Sequence, residues 1–167
     1  MLFTFRAWAR YVAFSIRTLL IRRHLPSHVT DDEEIAREIF SSSCCKADGS
    51  VRPNAFGFNR ANDSTFSVNR VSLAPHAFFQ YLGLKHAKRR RLTYHGAAHI
   101  TAENIRRVVM EDRWGVNVLG SLTKENPFHA DIPYPPDNGK DYDMVVSRKL
   151  AQLAIFQRNI RSKGSGW

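Results

Sequence analysis

Apolar periodicity along this chain changes type in an irregular order, and that order restricts the fold more than any other feature. The pattern predicts a helix, two strands, a helix, a strand, a helix, two short strands and a long final helix. A doubly wound sheet needs regular alternation of strand and helix. The succession therefore predicts the α+β class: one compact domain with a small, mainly antiparallel sheet and about four helices. A chain of 167 residues suits a single hydrophobic core.

Local signals place the elements. Thr30-Asp31-Asp32-Glu33 has the capping-box pattern, and Ile35, Ala36, Ile39 and Phe40 follow at one-face helical spacing, so a first helix is expected to run to about Ser41. Asp48-Gly49 marks a turn. Val51 to Phe58 and Thr65 to Val71, rich in Phe and Val around a polar linker, read as two strands of a hairpin. Pro75 suits the first turn of a helix carrying Phe78, Phe79, Tyr81 and Leu82, with Gly83 weakening its end. Leu92 to Ile100 reads as extended, Thr101 as the cap of a helix, and Gly115 to Leu122 and His129 to Ile132 as short strands. Beyond a loop rich in proline, Asp143 to Ile160 is expected to be helical, with Val146, Leu150, Leu153 and Ala154 on its apolar side.

Three regions follow: a basic amphipathic segment at 1–26, the α+β domain at 27–161 and a flexible tail at 162–167. The first segment carries Arg6, Arg10 and Arg17 near one helical face. Its longest uncharged apolar run, Tyr11 to Ile16, is six residues, against the roughly 20 needed to span a bilayer. It reads as a targeting peptide, a helix on an anionic membrane surface, or a helix packed on the domain.

The net charge of +10 arises from 25 Lys and Arg against 15 Asp and Glu. Five arginines lie in residues 1–24 and five basic residues, Lys85, Lys88, Arg89, Arg90 and Arg91, lie in one short run. Removing these ten leaves 15 basic against 15 acidic residues, so the surplus sits in two stretches. The run at 85–91, read as a link between helix and strand, supplies enough cations to neutralise several phosphates of nucleic acid or another polyanion. A solvated loop is the alternative.

Candidate chemistry is sparse. His129 and Asp131 stand two apart, on one face of a strand, a pair that can orient an imidazole for acid–base work or hold a phosphate with an arginine. Arg37 is expected in a mainly apolar helix and Arg70 at the end of a strand, and a guanidinium that points inward from either needs a carboxylate or phosphate. These four residues compose an alternative reading, an enzyme acting on a phosphate-containing substrate. His95 and His99 have H-x-x-x-H spacing, but on a strand they lie about 13 Å apart, too far for one metal ion. Cys44 and Cys45 are adjacent, which excludes a disulfide framework and zinc-ligand spacing and favours a reducing compartment. No cofactor or metal is expected, and the location expected is the cytoplasm, at its membrane surface if the first segment binds there.

From Glu34 to about Leu153 the chain resembles a loose set of small bacterial proteins with no assigned activity. The likeness rests on Ala36-Arg37 with Ile39-Phe40-Ser41, Gly49, Ala55-Phe56, Ser67-Val68 with Arg70, Ile100-Thr101, and Pro127-Phe128-His129-Ala130 with Ile132. It implies a bacterial origin and a compact domain. The order of an arginine, a Ser-containing strand and a late polar residue is also similar to ADP-ribosyl-transferring folds, but no glutamate falls where their catalytic acid is expected.

Overall fold

The computed structural model describes residues 28–57, 65–108, 116–133 and 139–159. The expected N-terminal helix and the 162–167 tail lie outside these described residues. Six strands are present: β1 (Glu34–Ile39), β2 (Thr65–Arg70), β3 (Gly96–Thr101), β4 (Leu119–Gly120), β5 (His129–Pro133) and β6 (Ile155–Arg158). They form one antiparallel sheet in the order β4-β5-β2-β1-β3-β6. Three α-helices accompany them among the described residues: α1 (His76–Arg90), α2 (Ala102–Arg106) and α3 (Gly139–Leu153). This is the α+β class read from the sequence. No helix among the described residues is long and apolar enough to cross a membrane.

The first helix expected from the sequence is instead the central strand β1, paired with β2 on one side and β3 on the other. Thr30 and Glu33 do make the capping-box contact, the Glu33 carboxylate accepting from the Thr30 amide at 2.9 Å, but they do so in a turn that delivers the chain into the sheet. Ile35 and Ile39 lie on one face of a strand as well as of a helix, because four residues make two strand repeats and little more than one helical turn. Pairing on two sides decided between them.

Ile35 and Ile39 join Phe66, Val68, Ala98, Ile100, Ala130 and Ile132 in the main core, which Val146, Leu150 and Ala151 of α3 close. The expected hairpin does not form. Val51 makes one isolated bridge to Cys45, Pro53–Phe56 is a 3-10 turn, and β2 pairs with β1 and β5. The 3-10 turn buries Phe56 beneath α3, where the Ser147 hydroxyl donates to the Phe56 carbonyl at 2.7 Å. The last helix is also shorter than expected. It ends at Leu153, and Ile155-Phe156-Gln157-Arg158 pairs with the outer edge of β3.

Helix α1 begins after Pro75 as expected, but runs through the basic stretch to Arg90 rather than ending near Gly83. Arg91 adopts the left-handed conformation that closes the helix, with φ 55° and its amide bonded to the Lys88 carbonyl. Lys88, Arg89 and Arg90 in the last turn complement the negative end of the helix dipole. Phe79, Leu82, Gly83 and Ala87 form the buried stripe, at spacings of three and four. Phe79 and Leu82 meet Phe128 just before β5, fixing one end of the helix. Gly83 admits the Tyr94 ring, since a Cβ there would lie 2.5 Å from it.

Candidate functional site

Strands β1 and β2 pair only at Ile35–Arg70 and Ala36–Asn69, then separate. The Arg70 amide points to the β5 side, bonding the Phe128 carbonyl, so the Ser67 carbonyl, three residues earlier, points towards β1. Arg37 fills the gap. Its Nη1 donates to the Ser67 carbonyl at 2.7 Å, and its guanidinium lies 4.4 Å from the Phe66 ring centroid.

The parting of the strands leaves a cleft of about 300 Å³. Ser67 and Asn69 of β2, Arg37 and Glu38 of β1 and His129 of β5 line it. His86, Arg89 and Arg90 of α1 face it from the helix, and Thr123 to Asn126 form the remaining wall. Four cations, Arg37, Arg89, Arg90 and Lys124, thus meet two carboxylates, Glu38 and Glu125.

His86 lies on the buried stripe of α1, between Gly83 and Ala87, which carries it to the sheet. Its Nδ1 is 2.8 Å from Glu38 Oε2. The other carboxylate oxygen, Oε1, is buried and has no hydrogen-bond partner among the described residues. His129 is held from behind: its Nδ1 is 2.8 Å from both the carbonyl and the hydroxyl oxygen of Ser121, and 3.9 Å from Asp131 Oδ2. The Ser121 hydroxyl donates to Asp131 Oδ2 at 2.5 Å. Asn126 donates to the buried Asn69 side chain at 2.6 Å and accepts from the Phe128 amide, which anchors the loop before β5.

The candidate residues therefore divide. Arg37 and His129 share the cleft, with Asp131 behind His129. Arg70 does not line it: its guanidinium is fully buried and donates to Glu33 at 2.6 and 2.7 Å and to the His28 carbonyl at 3.2 Å. Of the basic run, Arg89 and Arg90 enter the cleft. Lys85 pairs with Glu125 at 3.2 Å, holding that carboxyl below its ordinary range, while Lys88 and Arg91 are exposed. His99 is buried against Glu34 at 2.9 Å. Sequence reasoning missed Glu38, His86, Asn69, Lys124 and Asn126. Only His86 had a signal: a polar residue interrupting an apolar helical stripe.

No protein-family model matches the chain, and no curated protein or solved structure matches it. Fold and site together define an antiparallel α+β domain with a cationic cleft at the parting of its two central strands.

Proposed function

We propose that this protein binds nucleic acid as a polyanion, seating a phosphate in the cleft and extending contact along the exposed end of α1. One observation carries the reading: Arg37, Arg89, Arg90 and Lys124, from three separate segments, line a single cleft. Guanidinium groups suit phosphate oxygens, with which they form paired charge-assisted hydrogen bonds. At about 300 Å³ the cleft stands at the small end of ligand pockets, room for about one nucleotide. The positive charge continues outside it through exposed Lys88 and Arg91, farther than a single small anion requires. Phe40, which also lines the cleft, has Arg90 5.8 Å from its ring centroid and offers a face on which a base can stack.

The test is fluorescence anisotropy of a labelled single-stranded oligonucleotide with the full chain. Binding near physiological salt that falls at least tenfold in Arg89→Ala/Arg90→Ala supports the proposal. No binding by the unaltered protein, or equal binding by the variant, refutes it.

A further inference from the structure

Two histidines line one cationic cleft, and each is fixed through Nδ1. A carboxylate accepts, so with Glu38 Oε2 at 2.8 Å as its partner the His86 ring carries its proton on Nδ1. The Ser121 carbonyl can likewise only accept, which places a proton on His129 Nδ1 at 2.8 Å. In both rings Nε2 remains to exchange a proton with a bound molecule. Glu38 Oε1 is buried beside His86 without a donor among the described residues.

We propose that the cleft cleaves single-stranded RNA by internal transesterification, an inference that rests on the nucleic-acid reading above. His86 Nε2 takes the proton of a ribose 2′-hydroxyl, and the freed oxygen forms a bond to the adjacent phosphorus. The bond from phosphorus to the 5′-oxygen breaks, and that oxygen takes a proton from the protonated His129 Nε2. The products are a 2′,3′-cyclic phosphate and a 5′-hydroxyl. One proton is taken and one given, so no metal, water or redox partner is consumed. Arg37, Arg89, Arg90 and Lys124 place positive charge around the phosphate, where negative charge gathers in the transition state. Glu38 acts as a positioning residue, holding the His86 ring through Oε2. Asp131 and Ser121 hold His129 in the same sense.

The experiment uses the full chain, chelator throughout, and a 5′-labelled single-stranded RNA, with a 2′-O-methyl oligonucleotide of the same sequence to measure binding apart from cleavage. The expected result is cleavage to fragments ending in cyclic phosphate or its hydrolysed monophosphate, with the same-sequence DNA left intact. A single 2′-deoxy substitution in the RNA should block cleavage at that linkage alone, a readout that needs no variant to fold. His86→Asn and His129→Asn should each slow cleavage by about 10²- to 10⁴-fold, far more than they weaken binding of the 2′-O-methyl strand. Glu38→Gln should lower the single-turnover rate by more than it changes that affinity. Binding without cleavage overturns the inference and spares the binding proposal; failure to bind overturns both. Cleavage that persists in both histidine variants, or fragments ending in a 3′-hydroxyl, also overturns it.

Discussion

The Arg70 guanidinium meets the Glu33 carboxylate through two hydrogen bonds of 2.6 and 2.7 Å, and the arginine is wholly removed from solvent. Glu33 closes the turn that starts β1, and Arg70 ends β2, so the pair joins the two central strands where their ladder is intact. Removing one partner strands a charge in the core, which costs about 3–5 kcal/mol. Arg70→Ala is expected to lose that much in urea unfolding, and a loss below about 1 kcal/mol would contradict the assignment.

Acid should act on the same pair. Burial pushes the Glu33 carboxyl up, but the hydrogen bonds from Arg70 and Thr30 outweigh it and hold the group below its ordinary value. A depressed carboxyl contributes stability that is complete above its unfolded pKa, about 4.3, and is lost as pH falls from there through the folded value. His99 contributes at higher pH. Burial lowers its pKa more than Glu34 raises it, so stability should begin to decline as pH falls below about 6.5. Melting curves of the unaltered protein and of His99→Gln between pH 7 and pH 5 check this: the variant should show the flatter profile.

Two glycines are set by close approach. Helix propensity alone predicts that Gly83→Ala would stabilise α1 by about 1 kcal/mol. The new Cβ would lie 2.5 Å from the Tyr94 ring, and overpacking of this kind costs about 1–3 kcal/mol, so the net effect is expected to be destabilising. Gly96 has φ +138°, and a Cβ there would lie 2.1 Å from the Gln157 carbonyl oxygen, which is backbone. Gly96→Ala should therefore cost more than Gly83→Ala. The reverse order in chemical denaturation would show that β6 yields more easily than Tyr94.

Charge and position can be separated on α1. Lys88→Ala/Arg91→Ala and Arg89→Ala/Arg90→Ala remove the same two charges, but only the second pair lines the cleft. The second should lose the more affinity for a single strand. Replacing all four should flatten the plot of log affinity against log salt by up to about 2.8. Equal losses for the two double variants would place binding on diffuse charge and not in the cleft.

Folding is expected to need neither metal nor disulfide. Cys44 and Cys45 are free thiols whose pKa values burial raises, and no group of three metal-ligating side chains is assembled among the described residues. Chelator and reductant should leave the melting temperature unchanged, and a fall of several degrees with either would contradict this.

Much of the local structure was legible because its causes are local. Pro75 starts α1, and the Thr101 hydroxyl accepts from the Asn104 amide to cap α2. Alternation over Thr65 to Val71 marks β2, and the short run at His129 marks β5. The irregular order of elements sufficed for the α+β class. The site was legible only in fragments: Arg37 and His129 were grouped in one reading and the cationic run in another, and nothing in their spacing joined the two.

Tertiary pairing decided the rest. Glu34 to Ile39 carries a pattern that serves a helix or a strand, and becomes β1 because β2 and β3 offer ladders on both its edges. Ile155 to Arg158 leaves the helix before it because β3 has an open edge. By itself the sequence determined the class, the helix starts at Pro75 and Thr101, the turn at Asp48-Gly49 and the distribution of charge, since these depend on neighbours within a few residues. The partner of Arg70, 37 residues away, the meeting of His86 with Glu38, 48 residues apart, and the cleft itself depend on residues distant in sequence being brought together, and only packing of the whole chain fixes such contacts.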